Sequence, residues 1–361
     1  MKILIVKLSS IGDVVHTLPA VAAIARSLPE AEISWVVERR SAEILRGNPF
    51  VHRLIEVDTK RLRAEKSFLG KLSLAREQLR TVRGAKYDVA LDFQGLLKSA
   101  LIARVSGAKR LVGFEREALR EPASRFLLTE TVSIDARQNI IKKNLQLAEK
   151  ALQFVGPANA QGFEFPIAVD FEHKREAAAV IEKIGENFVV LNPSGGWETK
   201  LWDAGRFGKL ADAIWERFNL KSVVPIGPNE EATVNRVLAQ SRSEQTFPVQ
   251  LSLKGFYALA ERAKLYVGGD TGPTHLAVAA KTPIVGIFGP TEWWRNGSPR
   301  SQDLCVERTD IGCRENCHRR QCQNWICLDI EVEQVLRAVE KRLKLLQHQT
   351  KTEKIEFVTA S

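Results

Sequence analysis

Short apolar runs alternate with amphipathic stretches along almost the whole chain. Runs rich in Val, Ile and Leu are typical of buried strands, and apolar residues three or four positions apart are typical of helices. The predicted strands are 3–6, 33–37, 54–57, 87–92, 111–114, 188–191, 222–226, 264–267 and 283–288. The predicted helices are 14–28, 41–46, 71–83, 95–106, 137–154, 171–184, 204–217, 232–240, 254–263, 276–280 and 330–346. Strands that alternate with helices predict an α/β protein whose parallel sheets are covered on both faces.

The alternation is interrupted between 155 and 186, where glycines and prolines precede a charged helix. We therefore predict two doubly wound, Rossmann-like domains, 1–165 and 166–347, followed by a disordered tail at 348–361. Ligands of such sheets bind at the carboxyl ends of the strands. The polar loops that follow strands are 8–13, 93–98, 192–200, 227–231 and 268–275. Their common position predicts a ligand-binding cleft between the two domains.

The loop 268–275 reads Gly-Gly-Asp-Thr-Gly-Pro-Thr-His between a predicted strand and a predicted helix. Glycines let the backbone approach a ligand closely, and the free amides of a helix start favour an anion. The loop is therefore a candidate phosphate site, with an ordinary strand-to-helix turn as the alternative. It matches neither the G-x-G-x-x-G nor the Walker A pattern.

Composition limits the class of protein. A hydrophobic content of 44% is sufficient for buried cores, yet no apolar run approaches the roughly 18 residues of a membrane span. The apolar run at the start is interrupted by Lys7, which is unlike a signal peptide. We expect a cytoplasmic protein.

The net charge of +10 is concentrated in residues 60–86, which carry nine Lys or Arg and two Glu. Such a patch favours an anionic partner, although a solvated helical face is the alternative. Phe68, Leu69 and Leu72 lie within it. They are expected either to touch a membrane surface or to pack their own helix onto the sheet.

All five cysteines fall between 305 and 327, with Cys305 followed by Cys313, Cys317, Cys322 and Cys327. A zinc site needs four ligands, but these spacings are not those of paired Cys-x2-Cys motifs. A structural metal, packed reduced thiols and redox-sensitive disulfides remain three open interpretations, with His318 as a further possible ligand.

Two long segments resemble the signatures of glycosyltransferase family 9. They are Lys-Leu-Ser-Ser-Ile-Gly-Asp-Val-Val-His-Thr-Leu-Pro at 7–19, and the loop 268–275 followed by Pro-Ile-Val-Gly-Ile-Phe-Gly-Pro-Thr at 283–291. Within that family, the segments 92–99 and 120–124 are similar to the heptosyltransferase I branch. The likeness extends from residue 1 to about residue 345.

This resemblance implies a GT-B architecture and an inverting transfer of L-glycero-D-manno-heptose from ADP-heptose. The implied acceptor is the inner Kdo of Kdo2-lipid A, at the cytoplasmic face of the inner membrane. Many metal-dependent sugar-nucleotide transferases hold their divalent ion with an Asp-x-Asp pair, which this chain lacks, so we expect no catalytic metal. We also expect no other cofactor.

The resemblance also implies a set of donor-binding residues in the second domain. Lys200 matches the phosphate-contacting lysine of the family, Asp270 would accept hydrogen bonds from the heptose, and Glu230 or Glu231 would bind the ribose. The candidates are Ser194, Gly195, Lys200, Glu230, Glu231, Asp270, Thr271, Gly272 and His275. The alternatives are a surface lysine at 200, a packed histidine at 275 and a helix-starting carboxylate at 230 or 231.

Catalysis is expected to combine Asp13 as the general base with Lys200 as the cation that meets the departing diphosphate. As the alternative, Asp13 would only cap a helix that begins at Val14. The expected acceptor-binding cations are Lys60, Arg61, Arg63, Lys98 and Arg120, because the acceptor is anionic. Gln94 is expected to contact a sugar hydroxyl of the acceptor.

Two other classes of function compete with this hypothesis. One is a related sugar-nucleotide enzyme: heptosyltransferase II, a transferase with another acceptor or nucleotide sugar, or an epimerase. The other is a nucleic-acid-binding protein, which would need aromatic side chains for base stacking. Only Phe68 is aromatic between 60 and 86, so we expect no nucleic-acid partner.

Overall fold

The computed structural model describes residues 1–135, 137–156, 162–314, 317 and 319–359, with the side chains of Arg63 and of 348–359 outside the described set. The chain divides into two compact units, Met1–Ala168 and Val169–Ser361. Each unit is built on one parallel sheet, for which the described residues supply six strands.

The strands of the first unit are β1 Lys2–Val6, β2 Glu32–Glu38, β3 Arg53–Val57, β4 Val89–Asp92, β5 Arg110–Phe114 and β6 Glu130–Val132. Its helices are α1 Ile11–Val15, α2 Leu18–Ser27, α3 Thr59–Ala64, α4 Phe68–Arg83, α5 Leu97–Val105 and α6 Ile140–Leu152, with 3-10 helices at Arg39–Leu45, Arg116–Ala118 and Pro122–Leu127. The sheet order is β3-β2-β1-β4-β5-β6. The order reverses between β1 and β4, which places the loops after these two strands side by side.

Helices cover both faces of this sheet. Val82 of α4, Ala100 and Ala103 of α5 and Leu127 pack in one apolar cluster with the side chains of Leu4 and Val6, so α4, α5 and Pro122–Leu127 form a single layer. The helices α2 and α6 pack against each other. The residues of β1 from Ile3 to Val6 are fully buried, as expected for a central strand covered on both sides.

The strands of the second unit are β7 Phe188–Asn192, β8 Lys221–Pro225, β9 Thr246–Val249, β10 Leu265–Gly268, β11 Ile284–Phe288 and β12 Leu304–Glu307. Its helices are α7 Phe171–Ile184, α8 Ala204–Phe218, α9 Glu231–Gln240, α10 Leu253–Ala260, α11 Gly272–Ala279, α12 Trp293–Asn296 and α13 Val332–Thr359, with 3-10 helices at Glu198–Lys200 and Gly312–Arg314. The order β12-β11-β10-β7-β8-β9 reverses between β10 and β7.

The predicted α/β class with two Rossmann-like sheets is confirmed. The helix expected at 14–28 is instead two helices: α1 already begins at Ile11, and α2 begins at Leu18 with Pro19 in its first turn. The strands β6, β9 and β12 were not predicted. The backbone of α13 continues as helix through 348–359, the segment for which the sequence predicts disorder.

A buried carboxylate holds the closing helix α13 to the sheet. Asp303 Oδ1 accepts hydrogen bonds from Arg342 Nε at 3.0 Å and from the Ile284 amide at 2.9 Å. Its Oδ2 accepts from Arg300 Nε at 2.9 Å and from the Ser298 hydroxyl. Because the Asp303 side chain is fully buried, this network stabilises the folded state only while the carboxylate keeps its cationic partners.

None of the helices in the described part of the chain combines the length and the apolar character that crossing a lipid bilayer requires.

Candidate active site

Asp13 lies in the first turn of α1, at the carboxyl end of β1. The cap of this helix is Ser10, not Asp13, and Asp13 Oδ2 accepts hydrogen bonds from the Ser10 amide at 2.8 Å and from its hydroxyl at 3.2 Å. The alternative in which Asp13 caps a helix beginning at Val14 is therefore wrong. The Asp13 side chain remains 27% exposed, so its carboxylate is accessible to a ligand.

Lys7 sets the charge state of this carboxylate. Burial would raise the pKa of Asp13, but the Lys7 ammonium, 3.7 Å from Oδ1, and the Ser10 amide lower this pKa below its ordinary value. Burial lowers the pKa of Lys7 itself, and its Nζ donates to the Phe93 carbonyl at 2.7 Å. Asp13 is consequently a carboxylate at neutral pH, the form that a general base requires.

Gln94 fastens the loop that carries Asp13. Its Oε1 accepts from the Leu8 amide at 3.0 Å, and its Nε2 donates to the Ser9 carbonyl at 2.8 Å. Asp92 in turn accepts from the Gln94 amide at 2.9 Å and from Ser99 Oγ at 3.0 Å. Burial raises the pKa of Asp92 to about 6, in spite of these hydrogen bonds. The expected contact between Gln94 and a sugar hydroxyl stays a prediction.

The expected acceptor cations gather near Asp13 and Glu38. The Nζ atom of Lys98 lies 3.7 Å from Glu38 Oε1, and Glu38 Oε2 accepts from the Thr59 amide at 3.2 Å. Thr59 begins α3, whose next two residues are the exposed Lys60 and Arg61.

Arg120 is also exposed, and its charge lowers the pKa of both Lys7 and Asp13. The side chain of Arg63 lies outside the described residues. The first unit therefore presents four of the predicted cations, those of Lys60, Arg61, Lys98 and Arg120, around the same end of its sheet.

In the second unit, Asp270 is the centre of a buried polar cluster after β10. Its Oδ2 lies 2.6 Å from Lys200 Nζ and 3.2 Å from Asn296 Nδ2, and its Oδ1 lies 3.1 Å from His275 Nε2. Burial would raise the pKa of Asp270, but His275 and Lys200 lower it far below its ordinary value. Lys200 is thus paired with a permanent carboxylate, and its side chain is only 14% exposed, unlike a surface lysine.

The loop after β7 packs tightly against the start of α11. Asn192 Nδ2 donates to the Ser194 carbonyl at 2.9 Å and to Thr271 Oγ1 at 3.1 Å. A Cβ atom on Gly195 would lie 2.5 Å from Thr271 Cγ2, so only glycine permits this approach. The predicted residues Ser194, Gly195, Thr271 and Gly272 are therefore neighbours.

Polar groups remain available for a ligand both in the loop after β7 and at the start of α11. The hydroxyl of Ser194 is buried and has no hydrogen-bond partner among the described residues. Helix α11 begins at Gly272, where the first amides have no acceptor within the helix. Both features suit an anionic ligand.

Glu230 and Glu231 occupy different environments. Glu230 Oε2 accepts from the Gly227 amide at 2.9 Å and closes its own turn. Glu231 is the exposed first residue of α9. Both follow β8, the neighbour of β7 in the sheet.

Several members of these clusters were not predicted from the sequence. Lys7 and Asp92 lie inside the segments that carry the family likeness, so their position was a usable signal. Glu38 and Asn192 end strands, where polar residues commonly face a ligand. Asn296 gave no signal, because a single asparagine in a short helix has no distinguishing pattern.

The cysteine segment borders the loop that carries Lys200: Thr199 Oγ1 donates to the Arg319 carbonyl at 2.6 Å, and Trp325 Nε1 donates to the Thr199 carbonyl at 3.1 Å. All five cysteines are free thiols, and the described residues contain no group of His, Cys, Asp or Glu placed to hold a metal ion. Burial is the main cause that raises the pKa of Cys327. His318 lies outside the described residues.

The chain is similar to known proteins both in sequence and in fold. Residues 75–325 match the sequence profile described as Glycosyltransferase family 9 (heptosyltransferase). Lipopolysaccharide heptosyltransferase 1 of Pseudomonas aeruginosa is 32% identical over 292 residues, which cover 81% of this chain and 79% of that protein. The protein of the same name from Escherichia coli O18:K1:H7 is 32% identical over 300 residues, with coverages of 81% and 87%. The solved structure of E. coli heptosyltransferase WaaC with ADP shares the fold with a TM-score of 0.76 at 23% identity, covering 95% of this chain and 100% of that one.

Proposed function

Because the chain belongs to glycosyltransferase family 9, the heptosyltransferases, we propose that it transfers L-glycero-D-manno-heptose from ADP-heptose to the inner Kdo of Kdo2-lipid A. The relatives at 32% identity that are called lipopolysaccharide heptosyltransferase 1 support the acceptor class. The observation that carries the proposal is the cluster around Asp270 and Lys200, which suits a sugar joined to a diphosphate.

In this proposal the donor binds at the carboxyl ends of β7, β8 and β10. The diphosphate accepts hydrogen bonds from the amides at the start of α11 and from the free hydroxyl of Ser194. Lys200 neutralises the charge that develops on the departing ADP. Asp270 accepts hydrogen bonds from the heptose through lone pairs that its protein donors leave unused, and Glu231 binds the ribose.

The reaction proceeds with inversion and without a metal. Asp13 removes the proton from the acceptor hydroxyl, whose oxygen forms a bond to the anomeric carbon as the bond from that carbon to the diphosphate oxygen breaks. The electron pair of the broken bond leaves with ADP. Lys7 supports this step because it keeps Asp13 ionised between turnovers.

The acceptor is anionic, and it meets cations in the first unit. Lys60, Arg61, Lys98 and Arg120 would bind the Kdo carboxylates and the lipid A phosphates, with Arg favoured for bidentate contacts. Such an acceptor places the protein at the cytoplasmic face of the inner membrane, in peripheral contact with the lipid.

The decisive experiment supplies ADP-heptose together with either Kdo2-lipid A or its monoheptosylated product, and measures ADP release. We expect turnover with Kdo2-lipid A. Turnover only with the monoheptosylated product would instead identify a heptosyltransferase II, and turnover with neither would contradict the proposed acceptor. Proton NMR of the product reports the anomeric configuration, and retention would contradict the inverting mechanism. Chelation of divalent ions should leave the rate unchanged.

A further inference from the structure

The first turn of α4 holds large apolar side chains in solvent. Phe68 is 77% exposed, Leu69 75% and Leu72 38%. Of the described side chains of α4, only that of Val82 is buried. The alternative in which the three apolar residues pack the helix onto its own sheet is therefore wrong, and their exposure is unexplained by folding.

The same layer of the first unit exposes further apolar side chains. Leu97 and Leu101 lie one turn apart on α5 and are 44% and 53% exposed, and Phe126 is 88% exposed. The helix α5 packs against both α4 and Pro122–Leu127. Since these elements cover one face of the sheet, their outward side chains form one surface, which we call the α4–α5 surface.

Cations accompany these apolar residues. Lys66, Lys71, Arg76 and Arg80 are exposed and make no ion pair with another described residue. Leu69, Leu72, Arg76 and Arg80 also line one shallow groove along α4, so the apolar and the basic side chains share one face of the helix.

We propose that the α4–α5 surface docks the protein on a bilayer that contains anionic phospholipids. Apolar side chains that enter the acyl boundary, flanked by Lys and Arg that meet the headgroups, are the two features of interfacial helices. A nucleic acid would need more aromatic side chains than this surface offers, and an ordinary protein interface is depleted in lysine.

The position of this surface agrees with a lipid-borne acceptor, and this part of the inference rests on the proposed function. Helix α3, which carries Lys60 and Arg61, packs against α4, and Lys98 is in the first turn of α5. The docking surface is thus continuous with the cations assigned to the acceptor. Docking there brings those cations to the headgroups from which the acceptor sugar projects.

Cosedimentation of the full chain with phospholipid vesicles tests the docking. We expect binding to phosphatidylcholine vesicles that contain phosphatidylglycerol, and at least tenfold weaker binding to phosphatidylcholine alone. Phe68→Ser/Leu69→Ser/Leu72→Ser and, separately, Arg76→Glu/Arg80→Glu should each weaken binding to the anionic vesicles about tenfold or more. The matched control is Phe171→Ser, which removes a 74% exposed phenylalanine from the second unit and should leave binding unchanged.

The proposal would be overturned if either variant bound vesicles as tightly as the wild type does, or if the wild type did not bind vesicles. Capture of a protein partner without vesicle binding would also overturn it. Circular dichroism confirms that the variants are folded. With a deacylated, water-soluble acceptor, the apolar triple variant should keep the wild-type kcat/KM, whereas with vesicle-embedded Kdo2-lipid A its kcat/KM should fall about tenfold. If the wild type bound vesicles but used neither acceptor, the proposed function would fail while the docking surface stood.

Discussion

The ammonium of Lys200 lies 2.6 Å from a carboxylate oxygen of Asp270, and both side chains are largely buried. Removing either partner destabilises the folded protein, because the other charge is left unpaired in a low-dielectric environment. The pair also fixes the Lys200 cation in place before any ligand arrives. Preorganised charge of this kind is what stabilises a departing diphosphate.

Substitution of this lysine should therefore affect both binding and rate. We expect Lys200→Met to weaken ADP binding by roughly 10- to 100-fold, since a charged hydrogen bond contributes about 1.5–3 kcal/mol, and to lower kcat as well. Isothermal titration with ADP and steady-state kinetics measure the two effects. Lys209→Met, which removes an exposed lysine of α8, is the matched control. An unchanged ADP affinity together with an unchanged kcat would remove Lys200 from the donor site.

Asp13→Asn separates the general base from a structural role. An asparagine at this position can still accept the hydrogen bond of the Ser10 amide, so α1 should form normally. We expect kcat to fall by about 10²- to 10⁴-fold, with ADP affinity unchanged. The control Asp170→Asn neutralises the carboxylate that caps α7 and should retain activity. A kcat near that of the wild type in Asp13→Asn would show that another group accepts the proton.

Asp92 should make the free energy of unfolding fall as the pH rises, which is the opposite of the usual effect of an ion-paired aspartate. Its folded pKa of about 6 lies above the ordinary value of 3.8, so its protonated form is favoured by folding. The resulting stabilisation is complete below about pH 3.8 and is lost as the pH rises through about 6.

Asp92→Asn removes this dependence, because the amide does not titrate. Between about pH 4 and about pH 8 the free energy of unfolding of the variant should rise relative to that of the wild type by roughly 2.5 kcal/mol. Urea unfolding across this range measures the gain. Asp88→Asn, at a half-buried aspartate whose pKa is lowered by the hydrogen bonds that it accepts from the Lys2 amide and from Lys109, should show no such gain. A constant difference between Asp92→Asn and the wild type would refute the raised pKa.

The sequence predicts the long elements of this fold better than its edges. Central strands such as β1 and β7 are continuous apolar runs, and the patterns of α6 and α8 are strongly amphipathic. The unpredicted β6 reads Glu-Thr-Val and β9 reads Thr-Phe-Pro-Val. Edge strands contact a neighbour on one side only, so their pattern is weak and tertiary pairing decides them.

The candidate site also has a part that the sequence predicts and a part that it does not. The loops that follow central strands are recognisable from their glycines and polar residues, and they supply Asp13, Ser194 and Asp270. Contacts between individual residues were not predictable in this way. Two examples are the contact of Gln94 with the Asp13 loop and that of Asn296 with Asp270. Both depend on distances between elements, which neither periodicity nor spacing encodes.

The closing helix α13 provides a test of stability away from the site. Asp303→Ala should lower the free energy of unfolding by about 3–5 kcal/mol, because the buried guanidinium of Arg342 loses its carboxylate. The double variant Asp303→Ala/Arg342→Met should cost less than the single one, since it also removes the buried guanidinium, and only the more exposed Arg300 is left without its carboxylate. Urea denaturation compares them. If the loss of stability in the double variant equalled the sum of the losses in Asp303→Ala and in Arg342→Met, the two side chains would not be coupled.

Trp197 has two cations against its indole ring: Lys200 Nζ is 4.3 Å and Arg320 Cζ 4.9 Å from the ring centre. An indole emits differently when the charge near its face changes, and a bound diphosphate would place negative charge beside Lys200. The chain therefore contains its own optical probe of donor occupancy. Although it has seven tryptophans, the difference between the wild type and Trp197→Phe isolates this signal, so that ADP binding can be followed in real time without a label.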